Sequence, residues 1–217
     1  MAQYLEGDGI WCQVVRPETA PACCGRSALF LDRDGVVVQE VGYLHRPEDV
    51  RLVPGAAATI AAANRLGLPV MVLSNQSGIG RGYYGWPEFE STQARIVAQL
   101  AAAGAALDMV LACPYHPEGK PPYRHRAHPC RKPRPGMLLR AAERLGLDLA
   151  GSWIVGDRTI DLEAGRAAGL AGGLHVLSGH GAEERPAAGE LGTGNFQVLL
   201  ADSIAAVPRL LPLFRCS

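Results

Sequence analysis

The sequence predicts an α/β domain on a doubly wound parallel sheet, and three observations predict it. Short, continuous apolar runs recur from Ser27 onward, as buried parallel strands do. Segments of helical pattern separate them, which is the alternation of βαβ units. Polar motifs lie just after the ends of several runs, and in such sheets ligands sit at the carboxyl ends of the strands. The chain has 217 residues, one domain's worth and enough to bury a full core.

Residues 1–27 hold Gly, Pro and polar residues around one apolar patch, Ile10 to Val15, and read as an extension draped over a domain of residues 28–217. ALFLD (28–32) is the first strand. Pro54-Gly55 opens an Ala-rich helix to Leu66, closed by Gly67. PVMVLS (69–74) is the second strand, succeeded by a Gly-rich loop and a helix from Pro87 to Ala103. LDMVLACP (107–114) is the third. Residues 115–135, rich in Pro, His and Arg, form a long loop, and loops beyond about 15 residues are usually functional or tied down. A helix over 135–145 leads to the strand SWIVGD (152–157), then a short helix over 160–168 and GGLHVLSG (172–179). FQVLLA (196–201) and a helix near 203–211 complete the pattern. No internal repeat is visible.

Composition narrows the partners. Lys plus Arg and Asp plus Glu are both 21, so bulk charge favours neither nucleic acid nor an anionic membrane. No apolar run approaches the roughly 20 residues of a membrane span, and the N-terminus lacks the basic start and apolar stretch of a secretory signal. A soluble cytoplasmic protein is expected, with a monomer as the default because no long apolar helix face demands a partner. Its scattered cysteines (Cys12, Cys23, Cys24, Cys113, Cys130 and Cys216) are then expected to be reduced. Only Lys120 and Lys132 are Lys among the 21 basic residues. A retained Lys is informative, because Arg cannot reproduce its compact ammonium.

The chemistry concentrates at the strand ends. Asp32 and Asp34, two residues apart after an apolar strand, would repel each other when desolvated. A divalent cation relieves that conflict, and carboxylate oxygens suit Mg²⁺. Asp32 can then attack phosphorus, while Asp34 protonates the leaving group and activates water. The bland alternative is a solvated acidic turn. Ser74, with Asn75 and Gln76 after it, offers a hydroxyl and backbone N–H groups to a phosphate oxygen. Lys132 supplies a point cation, and Asp157 can complete the metal shell. Asp161 either hydrogen-bonds nearby or caps its helix. Phosphoryl transfer needs little beyond in-line positioning and charge neutralisation.

These residues resemble the haloacid dehalogenase superfamily of aspartate-nucleophile phosphatases. FLDRDGVV, LSNQSGIGRG, CRKPRPGM and VGDRTID match its four motifs in order, from Phe30 to about Gly169. GYLHRPEDVRLVPGA and CPYHPEG narrow the likeness to the cap-less histidinol-phosphatase and heptose-bisphosphatase branch, with the single-domain heptose enzymes closer. The resemblance implies a fold without a large cap and removal of the 7-phosphate from a heptose 1,7-bisphosphate, with histidinol phosphate as runner-up. It implies Asp32 as nucleophile, Asp34 as acid/base, and Mg²⁺ held by Asp32, the Asp34 carbonyl and Asp157. Ser74, Asn75, Gln76 and Lys132 would bind phosphate, Arg131 and Arg158 would contact substrate, and Gly42, Tyr43 and His45 would flank the entrance.

Three departures matter. Ser74 stands where the family usually has Thr, and Arg158 where Lys is common. The third is the family's zinc loop, Cys-x-His then Cys-x-Cys. Here Tyr115 replaces the His and His128 a Cys. Cys113, His116, His128 and Cys130 still make an acceptable tetrahedral Zn²⁺ set, which would pin the loop. The rival reading leaves His116 and His128 solvating the loop, and His125 reads as solvated or anion-facing. The Arg124, Arg126, Arg131 and Arg134 cluster suits a second substrate phosphate better than nucleic acid. Trp11, Trp86 and Trp153 read as packing residues. A phosphate-binding sensor and a phosphotransferase are the readings from other classes.

Overall fold

A computed structural model describes residues 4–215, so Cys216 lies outside the described residues. Seven strands form one sheet: β1 (Trp11–Val14), β2 (Ser27–Asp32), β3 (Val70–Asn75), β4 (Met109–Cys113), β5 (Asp148–Gly156), β6 (Gly172–His175) and β7 (Gln197–Leu200). Helices connect them: α1 (Ala20–Cys23), α2 (Ala56–Arg65), α3 (Ser77–Arg81), α4 (Trp86–Ala102), α5 (Gly136–Leu145), α6 (Thr159–Ala167), α7 (Gly181–Gly189) and α8 (Val207–Leu210). The expected strands from 28–32 to 196–201 all form, with ends shifted by a few residues.

The strand order is β1-β4-β3-β2-β5-β6-β7. Six strands run parallel, and β1 alone is antiparallel, at the edge beside β4. The chain winds outward from β2 through β3 to β4, then from β5 to β7, so the winding reverses between β2 and β5. That reversal opens a crevice at the carboxyl ends of the two strands. Asp32 ends β2 and Asp157 comes directly after β5, which brings both carboxylates into it.

Both faces of the sheet are buried. Successive side chains of a strand point to opposite faces, so Leu29 and Leu31 pack with Val72, Val110 and Val155 on one side. Ala28 and Phe30 pack with Met71, Leu73 and Ile154 on the other. The continuous apolar runs of the sequence are this double burial.

Four local features depart from the sequence expectations. The apolar patch of the N-terminal extension is an integral strand: Ile10 and Trp11 are fully buried, and Trp11 stacks on Trp86 at 5.6 Å. Asp108 fastens the turn after that strand, accepting hydrogen bonds from Arg16 (2.7 Å) and Thr19 (2.8 Å) as well as from the Val70 N–H (2.8 Å). The Gly-rich stretch after β3 contains the helical turn α3. The segment before β7 forms α7 despite Pro186 inside it. The expected helix near 203–211 is instead a 3₁₀ turn over Ile204–Ala206 joined to α8, because Pro208 suits only the first turn of a helix.

Trp11→Ala should lower unfolding stability by about 3–5 kcal/mol, as large-to-small changes in packed aromatic cores do. Urea titration measures it. A loss below about 1 kcal/mol would make the segment a drape rather than part of the core.

Candidate active site

The crevice is an open cleft of about 380 Å³ whose walls include Asp32, Asp34, Ser74, Asn75, Gln76, Arg131, Lys132, Asp157, Arg158 and Asp161. Every expected catalytic, phosphate-binding and Mg²⁺ residue therefore lines one cleft, although the residues come from four separate parts of the chain.

Lys132 organises its floor. Only 2% exposed, its ammonium donates to Asp32 Oδ1 at 2.5 Å and to the Leu73 carbonyl at 2.9 Å, and pairs with Asp161 Oδ1 at 2.7 Å. Burial works against the charge, but Asp161 and Asp32 outweigh it and raise the Lys132 pKa. Burial also raises Asp32 well above the carboxylate range against the pull of Lys132, and the neighbouring Asp161, Asp157 and Asp34 add to the rise. Asp161 fills both roles left open by the sequence, because its Oδ2 also accepts the Arg158 N–H that opens α6 (3.1 Å).

Asp157 fits a cation. Its Oδ2 accepts the His180 N–H at 2.8 Å, while its Oδ1 is buried with no hydrogen-bond partner. A Cβ on Gly35 or Gly179 would stand 2.5 or 2.1 Å from that Oδ2, so glycine is required at both, and both have positive φ. Burial, then Asp161, push the Asp157 carboxyl up to about 7. Oxygens of Asp32, Asp157 and Asp161 lie within 4.8 Å of one another, and no other such group of His, Cys, Asp or Glu occurs among the described residues. An orphaned carboxylate oxygen in a crowd of acids is the environment a hard divalent ion stabilises.

Several residues take other duties than the sequence suggested. Asn75 exchanges hydrogen bonds with the Lys132 backbone, accepting the N–H at 3.1 Å and donating to the carbonyl at 3.0 Å, so its side chain fixes the lysine's loop. Gln76 is 2% exposed, its side chain held by Ser74, Asp34 and Tyr84 and its backbone N–H by the Cys113 carbonyl. That leaves it no hydrogen-bond donor for phosphate. Arg158 reaches outward to Glu184 at 3.2 Å, and Arg131 donates to the Tyr115 carbonyl at 3.0 Å. Of the four loop arginines, only Arg131 lines the cleft; Arg124 turns back to the Gly119 carbonyl. Gly42 and Tyr43 line it as well, whereas His45 stacks behind them on Tyr84.

The four zinc candidates are not gathered into one cluster. His116 faces Arg81 (3.1 Å), and His128 stacks flat on Tyr115 with ring centres 3.9 Å apart. Burial pushes the Cys113 thiol up to about 12 and raises Cys130 too. The five described cysteines are free. The arrangement does not fit Zn²⁺: Tyr115 packs its ring against His128 and holds the loop by stacking and by its hydroxyl's bond to the Asp8 carbonyl (2.8 Å). Trp11, Trp86 and Trp153 are buried, as packing residues are.

Arg33, Glu40, Tyr84 and His180 also line the cleft, although sequence reasoning gave none of them a role. Arg33 sits between the two aspartates of the first motif, so its position alone was a signal. The other three come from loops whose folding brings them in.

Comparisons with known proteins agree with this geometry. A family model described as HAD-hydrolase-like matches residues 129–199. A D-glycero-beta-D-manno-heptose-1,7-bisphosphate 7-phosphatase of Mesorhizobium japonicum is 46% identical over 172 residues, 79% of this chain and 78% of the relative. A HAD-like protein of Mesorhizobium loti superposes with a TM-score of 0.86 at 39% identity, covering 97% of this chain and 95% of that one. The D,D-heptose 1,7-bisphosphate phosphatase of B. bronchiseptica, solved with magnesium and phosphate, gives 0.75 at 32% identity, covering 85% and 97%.

The site's electrostatics and metal chemistry can each be tested. A carboxyl raised in the folded state stabilises below its unfolded pKa, and that stability is lost as pH rises through the folded value. In chelator, unfolding stability should therefore fall as pH rises from 5 to about 8 through the Asp157 value of about 7, and Asp157→Asn should flatten the slope. Elemental analysis of protein purified without chelator should find well under one zinc per chain; stoichiometric zinc would show that the loop rearranges to gather its ligands. Taken with the sequence motifs, the cleft and the relatives show that this chain belongs to the haloacid dehalogenase-like phosphatases, in their histidinol-phosphatase and heptose-bisphosphatase branch.

Proposed function

We propose that the protein is a Mg²⁺-dependent phosphatase that removes the 7-phosphate of D-glycero-D-manno-heptose 1,7-bisphosphate through an aspartyl-phosphate intermediate. The observation that carries the chemistry is the Asp32 carboxylate, held at the cleft floor by Lys132 beside the unpartnered oxygen of Asp157. Asp32 bonds to phosphorus as the ester P–O bond breaks, and Asp34 gives its proton to the departing sugar oxygen. Asp34 then takes a proton from the water that hydrolyses the acyl phosphate. Lys132 neutralises the charge of the phosphoryl oxygens, while the Ser74 hydroxyl, donating to Asp34, holds the acid/base carboxylate beside them. Asp32, the Asp34 carbonyl and Asp157 would hold Mg²⁺, which when bound offsets the negative charge shared by phosphate and carboxylates.

The relatives and the cleft together support the substrate. Arg131 and Arg158, both on its wall, have guanidinium N–H groups beyond those given to Tyr115 and Glu184, and these suit a second phosphate. Glu40, a carboxylate that also lines the cleft, suits hydroxyls, and it would also suit an ammonium, which keeps L-histidinol phosphate as the competing substrate. Such substrates are cytoplasmic metabolites, which is where we place the reaction.

Phosphate release with Mg²⁺ on the two substrates side by side decides between them. We expect kcat/KM to favour the heptose bisphosphate by at least about tenfold. The reverse preference would move the substrate to histidinol phosphate. Asp32→Asn should lower kcat at least about a thousandfold while leaving the fold intact; retained activity would rule out the covalent route.

A further inference from the structure

If the protein is the phosphatase proposed, Asp34 carries the proton both ways, so whatever orients its carboxylate decides whether it faces the leaving oxygen. Two sets of groups hold it. Arg33, fully buried with its guanidinium 5.4 Å over the Phe89 ring, donates from Nη2 to Oδ1 (2.9 Å) and from Nε to Oδ2 (3.0 Å). On the other side Ser74 Oγ donates to Oδ2 at 3.3 Å and Gln76 Nε2 at 3.2 Å.

The second set depends on a residue outside the family motifs. A carboxylate only accepts hydrogen bonds, so Gln76 must turn its amide nitrogen toward Asp34. That nitrogen also donates to Ser74 Oγ at 2.6 Å. The Gln76 carbonyl oxygen then points the other way into a buried site, where an unpaired acceptor is costly. Tyr84 supplies the missing donor, its hydroxyl reaching Gln76 Oε1 at 2.5 Å. The chain makes room for the ring: a Cβ on Gly78 would stand 2.2 Å from Tyr84 Cε1 and 2.8 Å from Tyr43. At its outer face the Tyr84 ring stacks on His45, with centres 5.2 Å apart and planes at 12°.

We propose that Tyr84 is a positioning residue for the acid/base Asp34, acting through Gln76. Its hydroxyl fixes which end of the Gln76 amide faces the carboxylate, and so completes the set of donors that hold Asp34 beside Ser74. The Tyr84 hydroxyl is engaged by Gln76, so it acts on Asp34 through that amide. Its effect is confined to steps in which Asp34 moves a proton.

Leaving groups separate this role from simple packing. A sugar alkoxide needs the Asp34 proton to depart, whereas 4-nitrophenolate leaves without one. For Tyr84→Phe on a sugar phosphate, kcat should fall about tenfold, the kinetic equivalent of one lost hydrogen bond, with KM changed by less than about twofold. The first-turnover release of 4-nitrophenol from 4-nitrophenyl phosphate should change by less than about twofold. Gln76→Ala should be slower still, and the double variant no slower than Gln76→Ala alone, because the two residues act in one line. Thermal unfolding midpoints check that each variant is folded, and Gln76→Ala tests the same relay if Tyr84→Phe is not. Additive losses, or equal losses on both leaving groups, would make Tyr84 a packing residue and overturn the inference. Active wild type with an unchanged Tyr84→Phe overturns it alone, whereas wild type inert toward both esters overturns the phosphatase reading together with it.

Discussion

The burial of one ammonium among three carboxylates is the constraint on which the site rests. Lys132 reaches Asp32 and Asp161 within 2.7 Å, with Asp157 close by. Those four groups come from β2, the loop before α5, the turn after β5 and the first turn of α6. Three buried negative charges would repel strongly in a medium of low polarisability. One buried positive charge cannot balance them, so the site retains an unmet demand for cation, expressed in the raised carboxyls of Asp32 and Asp157. A buried ion pair is weak evidence for stability. Here its geometry points instead to work on a phosphate, which brings further negative charge to the same place.

The fold supplies that arrangement through its topology. Parallel strands buried on both faces put their carboxyl ends along one edge, and the reversal of winding between β2 and β5 separates their connections to leave a cleft. Asn75, at the end of β3, holds the backbone of Lys132 by two hydrogen bonds, so the third motif is tied to the second. The basic loop is tied down too, by aromatic stacking of Tyr115 on His128 and by its contacts with the N-terminal segment. The segment that read as a loose extension is thus joined both to the core, through Trp11, and to the loop beside the cleft.

Charge on the cleft wall is divided by depth. Lys132, Asp32, Asp157 and Asp161 are buried, Asp34, Arg131 and Glu40 partly so, and Arg158 and Tyr43 are exposed. With no large cap over it, the cleft has to select through these loops.

The sequence by itself determined the strand–helix alternation, the parallel sheet, and the four motifs that meet in the cleft. These were legible because they are local: a buried strand is a continuous apolar run, and each motif keeps its spacing along a few residues. Tertiary structure alone decided the pairings. Lys132 and Asp32 are 100 residues apart in sequence, and nothing nearby in the chain shows that Asp161 shares the same ammonium. Gln76 stood beside Ser74 and read as a phosphate ligand, but only the approach of Asp34 and Tyr84 turned its amide away. Tyr115 and His128 filled positions where metal ligands are expected, and their stacking depends on how a long loop closes. Ile10 to Val15 read as part of a drape, and became an edge strand only because β4 offered its free edge. The physical reason is the same in each case: periodicity and turn chemistry act between neighbours, whereas hydrogen-bond partners and shared charge are settled by what else arrives at the site.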